Sequence, residues 1–231
     1  MSSNASIDIA SCTPSAIVQR ETMSYLLHID STAFDSTSIS RQVAASFRDA
    51  WTGEVVYRDL AVTPAPHITA AGVSARLSDR AGHTPEQTAA QLIQDELIDE
   101  FLGASAYLFT VPMYNYTMPS VFKAWLDQIV VVGRTIAMPE GPPAAGRPAV
   151  VVSARGGSYE PGVPNYGMDH LFPTLETAMG PKTLGLTIHA IKPELTLAPV
   201  VPAMAALIDL NTASIAASHE EARRLALLLA A

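Results

Sequence analysis

Cysteine is nearly missing from this 231-residue chain, where Cys12 stands alone. A single thiol excludes an internal disulfide framework and a cysteine-rich zinc site. Charge is also scarce: Asp, Glu, Lys and Arg make up 16% of residues. Basic charge is the scarcer sign, with 14 Lys and Arg against 22 Asp and Glu and a net charge of −8. A nucleic-acid binder carries a basic footprint for phosphates, so no nucleic-acid partner is expected. His28, His67, His83, His170, His189 and His219 are scattered without a pair at ligand spacing, which argues against a metal. No uncharged apolar run approaches the ~18 residues of a membrane span, so no membrane partner is expected either. Hydrophobic residues, at 48%, are too many for a disordered chain. A soluble globular protein of one domain remains.

Residues 1–22 are small and polar, with no Lys or Arg before Arg20. They lack the basic start and apolar centre of a signal peptide and read as a flexible N-terminal extension, with Met23 an alternative start. Residues 23–231 then form the domain. Its location is expected to be cytoplasmic.

From Tyr25 onward, short apolar runs alternate with amphipathic stretches. Tyr25 to Ile29, Glu54 to Tyr57, Ala106 to Val111, Ala149 to Ser153 and Leu186 to Ile191 read as strands. Between the first two, Ile39, Val43, Phe47 and Trp51 repeat every four residues on one helix face. Pro64-Ala-Pro66 opens a long loop, and Thr84-Pro-Glu-Gln87 has the form of a capping box. Pro119 begins another helix, residues 168–180 suit a further one, and the last twenty residues suit a closing helix. Strands alternating with helices predict an α/β, three-layer doubly wound fold with a parallel sheet. The common five-stranded version has the order 2-1-3-4-5 and binds its ligand beyond the carboxyl ends of the strands. Unusual residues should therefore gather in the loops after strands 1, 3 and 4.

They do. The first loop holds Ser31, Thr32, Ser36, Thr37 and Ser38 just before a helix N-terminus, where amides and the dipole favour a phosphate. It has no Lys or Arg, and the alternative is that these hydroxyls only cap the helix. The second loop, Pro112-Met113-Tyr114-Asn115-Tyr116, can lie along a flat polar ring or can form an aromatic core cluster. The third, Ala154-Arg155-Gly156-Gly157, allows close backbone approach to a ligand or is a tight turn with Arg155 in solvent.

These residues also carry a resemblance. The run Pro112-Met-Tyr-Asn-Tyr116, with Pro119-Ser120 and Lys123-Ala-Trp-Leu-Asp127, resembles the FMN-dependent NADH-azoreductase family of flavodoxin-like quinone and azo reductases. Leu27-His-Ile-Asp-Ser31, Tyr57-Arg-Asp-Leu60, Thr84-Pro-Glu86 and Arg155-Gly-Gly157 agree with it. The resemblance implies a homodimer with FMN at the edge of the interface, NADH or NADPH as electron donor, and a small-molecule electron acceptor. Ser31, Thr32, Ser36, Thr37 and Ser38 fall where the family grips the phosphate. Pro112 to Tyr116 match the segment along the isoalloxazine, and Ala154 to Gly157 the segment near the pyrimidine end. The expected reaction is ping-pong two-electron transfer to a quinone, azo or related conjugated acceptor. Amides near Gly156 and Gly157 would meet negative charge on the reduced ring.

The chain departs from the family pattern at three places. Ala154 replaces the usual Ser. Ile136 and Met138 stand where aromatic rings are usual, and with Tyr159 they form the expected substrate pocket. The segment Met179-Gly-Pro-Lys-Thr-Leu-Gly185 disrupts a usual Leu-Gly-Phe. These changes leave open a flavoenzyme of a natural-product pathway acting on one polycyclic or conjugated intermediate. Tyr159 is a candidate proton donor, and no catalytic residue is otherwise legible.

Overall fold

The structure, a computed structural model, describes residues 25–230. The extension expected over residues 1–22 lies outside the described residues, as do Met23 and Cys12. The chain runs β1 (Tyr25–Asp30), α1 (Ile39–Ala50), β2 (Glu54–Asp59), α2 (Ala70–Ala75), α3 (Pro85–Gly103) and β3 (Ala106–Thr110). It continues through α4 (Ser120–Ile129), β4 (Pro148–Val152), α5 (Leu171–Met179), β5 (Thr187–Ile191) and α6 (Ile208–Leu229). All neighbouring strands pair parallel, in the expected order β2-β1-β3-β4-β5.

Alternation along the buried strands divides the core. Leu27 and Ile29 of β1, with Tyr107 and Phe109 of β3, face α3, α4 and α5. Leu26, Leu108, Val150 and Val152 face α1 and α6. Each fully buried side chain of this size contributes roughly 1.5–3 kcal/mol of burial. The thicker side is aromatic: Trp125 lies 5.7 Å from Phe109 and 5.4 Å from Phe122, ring centre to ring centre.

Register aligns the strand ends. Asp30 pairs with Asp59 and with Thr110, Thr110 with Val152, and Val152 with Ile191. The carboxyl ends of the strands thus form one row, and every loop leaving them starts from the same edge of the sheet.

Local departures from the sequence pattern have local causes. Helix α1 stops at Ala50, and Trp51 turns extended while its ring still stacks on Phe47 at 5.8 Å. β2 runs two residues past Tyr57 because pairing with β1 extends it to Asp59. The loop opened by Pro64 contains α2, capped by the Thr69 hydroxyl; only Ala75 of that helix is buried, so no apolar period marked it. Pro119 caps α4 rather than opening it. The capping box at Thr84 forms in both directions.

Candidate functional site

The loop after β1 is organised from below by Asp30, which is fully buried. Its Oδ1 accepts the Thr32 amide at 3.0 Å, and its Oδ2 accepts Arg41 Nε at 2.8 Å and the Tyr57 hydroxyl at 3.0 Å. Burial, followed by the Asp30 charge, raises the Tyr57 phenol well above its usual range, so it stays a donor. Arg41 also bonds Asp59 at 2.9 Å. Both carboxylates engage this cation beneath the loop.

Above that base, Ser38 caps α1. Its Oγ accepts from the Arg41 amide at 3.3 Å and from the Thr32 hydroxyl at 3.0 Å, which leaves its own proton for another acceptor. Thr37 bonds Asp35 through amide and hydroxyl, and those bonds hold the Asp35 carboxyl below its usual range. Ser31 turns inward and donates to the Thr110 carbonyl at 2.7 Å. Ser36 is exposed, with its carbonyl accepting from Gln42.

The loop after β3 is a two-residue reversal. Tyr114 and Thr117 exchange amide-to-carbonyl bonds at 2.9 and 3.1 Å around Asn115 and Tyr116, with φ of 48° and 70°. Asn tolerates that left-handed region; a tyrosine there stores strain, held by the His170 amide donating to the Tyr116 carbonyl at 3.1 Å. The turn lifts Tyr114 across to the first loop, where its hydroxyl accepts the Ala33 amide at 3.0 Å. The Met113 amide donates to the Ala154 carbonyl at 3.0 Å, tying the second loop to the third.

In the third loop the Ala154 amide donates to Ser40 Oγ at 2.9 Å. Arg155 is not in solvent: it is 1% exposed and paired with Asp169 at 2.8 Å. The two glycines answer to packing within the chain. A Cβ on Gly156 would fall 2.6 Å from Leu197 Cδ1, and one on Gly157 would fall 3.1 Å from Asn165 Nδ2. Leu197 belongs to the segment after β5, whose Leu195, Thr196 and Leu197 amides bond the carbonyls of Gly157, Arg155 and Gly156.

These loops enclose a cavity of about 430 Å³, within the size range of small-molecule sites. One end is made by Thr32, Thr37, Ser38, Ile39 and Ser40, and the other by Pro112, Met113, Tyr114, Ala154 and Gly156; Phe34, Thr196, Leu197 and Val200 form the rim. A second hollow of about 590 Å³ lies beyond Tyr114, bounded by Asn115, Thr117, Pro119, Lys123, Asp127 and His67. Of the residues singled out from the sequence, Thr32, Thr37, Ser38, Pro112, Met113, Tyr114, Ala154 and Gly156 line the first cavity. Ser31, Ser36, Tyr116, Arg155 and Gly157 do not line it, and Asn115 borders the second hollow. Ile136 packs against the core and Met138 is half-buried in the turn after α4; neither lines either space. Tyr159 packs on Arg155, and burial together with the neighbouring Tyr116 raises its phenol.

Sequence reasoning missed Phe34, Ser40 and the segment Thr196 to Val200. Ser40 sits two residues past the cap, within ordinary helix by its pattern. The segment after β5 starts from the same row of strand ends, and that position was the available signal.

Comparison with known proteins agrees with this geometry. Residues 24–187 match a family defined by a flavodoxin-like fold, and the chain belongs to that family. Within it, the chain is 46% identical over 206 residues to the FMN-dependent NADH:quinone oxidoreductase of Streptomyces avermitilis, covering 87% of this chain and 94% of that one. The protein of the same name from Streptomyces coelicolor is also 46% identical over 206 residues, covering 87% and 92%. An FMN-dependent NADH-azoreductase from Bacillus anthracis, solved in complex with FMN, shares the fold with a TM-score of 0.74 at 20% identity over 90% of this chain and all of that one.

Proposed function

We propose that residues 23–231 form an FMN-dependent NAD(P)H oxidoreductase acting on quinones, with azo and related conjugated compounds as further acceptors. One observation carries this reading: the loops after β1, β3 and β4 converge on a single cavity with a hydroxyl-rich helix start at one end. The donor set fits FMN. A phosphate would meet the Ser38 hydroxyl, whose proton is unclaimed by its two donors, and the Ile39 and Ser40 amides of the first turn of α1. No cation is needed beside it, because anion affinity at a helix start comes from the amides and the dipole.

At the other end, Met113, Tyr114 and Gly156 would flank the ring, and Asn115 would reach its polar edge from the second hollow. Bound FMN supplies the redox chemistry, taking a hydride from NADH and passing two electrons to the acceptor, so that a quinone with two protons leaves as quinol. The chain's own part is to orient and to exclude water. The Tyr114 hydroxyl ties the ring-side loop to the phosphate loop through Ala33, so the two ends of the site move as one piece. Backbone amides at Gly156 and Gly157 would face the charge that builds on the reduced ring. The strain at Tyr116 fits a turn whose shape is set by a ligand.

The homodimer implied by the family belongs to this proposal, as do the cytoplasmic location and an acceptor pocket using Ile136, Met138 and Tyr159. Ile136 and Met138 line neither space in one chain, so their part in a pocket requires a partner subunit. Trp125 is fully buried in the core and is no interface residue. No helix among the described residues is long and apolar enough to cross a membrane.

The test is spectroscopic. Purified protein reconstituted with FMN should show bound-flavin absorbance that bleaches with NADH and returns on adding menadione. Failure to retain FMN refutes the cofactor assignment; retention without bleaching refutes the reductase assignment.

A further inference from the structure

Arg155 is an unusual cation for a surface loop. Beyond its pairing with Asp169 Oδ2, its Nε and Nη2 are buried without a hydrogen-bond partner among the described residues. Its guanidinium carbon lies 5.6 Å from the ring centres of both Tyr159 and Phe172. Lys192 Nζ sits 4.2 Å from the same Phe172 ring, and Glu194 nearby uses one oxygen on Ser158 and leaves the other buried without a partner. A buried ion pair is poor value for stability alone, because desolvation offsets its attraction.

The position of the pair suggests another use. Asp169 Oδ1 accepts the Leu171 and Phe172 amides at 3.0 and 3.1 Å, which fixes the carboxylate at the start of α5. The next residue, His170, holds the Tyr116 carbonyl through its amide. One dipeptide therefore grips the loop after β4 by a charged side chain and the loop after β3 by its backbone. On the other side, the Arg155 amide donates to the Pro193 carbonyl at 2.9 Å, and its carbonyl accepts from the Thr196 amide and hydroxyl, both at 3.1 Å. Arg155 is pinned on all sides, and the residue after it, Gly156, is a wall of the cavity.

We propose that Arg155 and Asp169 are positioning residues that tune the reduction potential of the flavin without touching it, an inference that rests on the FMN assignment above. A reduced flavin carries more negative charge than an oxidised one. A cation fixed one residue from the cavity wall favours the reduced form, and Asp169 moderates that field. In a water-poor interior such a field is weakly screened.

The pair predicts shifts of opposite sign. Asp169→Asn keeps a side chain able to cap α5 and removes the negative charge, so the potential rises. Arg155→Gln removes the positive charge and leaves the carboxylate, so the potential falls. Each change should alter the ratio of reduced to oxidised FMN affinity about tenfold, which is about 30 mV for a two-electron couple. Arg155→Lys keeps the charge and should stay closer to the wild type than Arg155→Gln.

The experiment is equilibration of FMN-loaded wild type and variants with reference dyes, with loading checked by absorbance. Opposite shifts in Asp169→Asn and Arg155→Gln support the proposal. Shifts of the same sign overturn it, since a packing fault alone moves both variants one way. An unchanged potential in FMN-loaded Asp169→Asn overturns it as well. If Arg155→Gln does not hold FMN, the other two variants decide: a rise in Asp169→Asn with little change in Arg155→Lys supports the proposal, and any other pattern overturns it. A wild type that takes up no FMN refutes the functional assignment instead.

Discussion

Gly156→Ala probes the contact on which the cavity rim depends. The added Cβ would lie 2.6 Å from Leu197 Cδ1 and 2.9 Å from its Cγ. Gly156 is not among the glycines of positive φ, so the strain is steric and not conformational. The Leu197 side chain is 47% exposed and can turn aside, while its amide stays bonded to the Gly156 carbonyl at 3.2 Å. Displacement into a poor rotamer costs about 0.5–1.5 kcal/mol, below the ~1–3 kcal/mol of core overpacking, so a stability loss of about 1 kcal/mol is expected. FMN affinity should fall about fivefold for the same reason, since about 1 kcal/mol is a factor near five.

The double variant Gly156→Ala/Leu197→Ala removes the clash and should recover most of what the single change lost. Urea unfolding of the four proteins of this cycle measures the coupling in stability, and flavin fluorescence quenching measures it in FMN binding. Effects that add within about 0.5 kcal/mol would refute the reasoning, because independent sites behave that way and contacting ones do not.

Ser38→Ala should weaken FMN binding by about ten- to a hundredfold in the same titration, since a hydrogen bond to a charged group is worth roughly 1.5–3 kcal/mol; the exposed Ser36→Ala should change it little. Tyr114→Phe removes the acceptor of the Ala33 amide and should cost FMN affinity by about two- to tenfold, with little change in unfolding midpoint. His28 is fully buried, and burial, then Arg48 and Arg41, hold its imidazole neutral well below the usual range. The unfolded chain takes up a proton below pH ~6.5 that the folded chain refuses, so stability falls by up to about 1.4 kcal/mol per unit as pH drops from there towards the folded value. Thermal melts of His28→Asn against pH should show a shallower fall than the wild type. Sedimentation of the FMN-loaded protein should give about twice the 24.5 kDa chain mass. In that dimer, Ile136→Phe with Met138→Tyr should raise kcat/KM for the small flat dye methyl red by about threefold to tenfold relative to a bulkier acceptor, by supplying stacking partners; an unchanged ratio would remove both residues from the pocket.

Much of the fold was legible because its signals are local or periodic. The capping box at Thr84 needs four adjacent residues, and the alternation that splits β1 between two helical layers needs six. The row of strand ends followed from the parallel sheet, and with it the three loops. What was hidden depends on register and on distant packing. Nothing near Arg155 in sequence announces that Asp169 will bury it, since the partner lies 14 residues on, at the start of another helix. The paired glycines have the pattern of an approach path for a ligand, yet their nearest neighbours are Leu197 and Asn165. Ser31 and Ser36 share the composition of a phosphate loop, but one serves the sheet edge and the other faces solvent. Hydroxyl count could not sort them; only the backbone turn between Asp30 and the α1 cap does.

That turn also explains how an acidic chain can hold an anion without a cation beside it. Arg41 is the cation nearest the loop in sequence, and its guanidinium is engaged by Asp30 and Asp59, so it adds little net field at the helix start. What Asp30 contributes is geometry. By accepting the Thr32 amide it directs the Thr32 hydroxyl onto Ser38, and by binding Arg41 it holds the first turn of α1 against the sheet. The anion-binding groups that remain, the Ser38 hydroxyl and the first amides of α1, owe their arrangement to charges that do not themselves meet the anion. At the opposite end, the buried Arg155–Asp169 pair stands in the same relation to Gly156. In both places opposite charges are neutralised one layer below the cavity, and the cavity itself is walled by amides, hydroxyls and apolar side chains. A site built this way pre-orients its hydrogen-bond donors while keeping fixed net charge away from the place where two electrons arrive and depart.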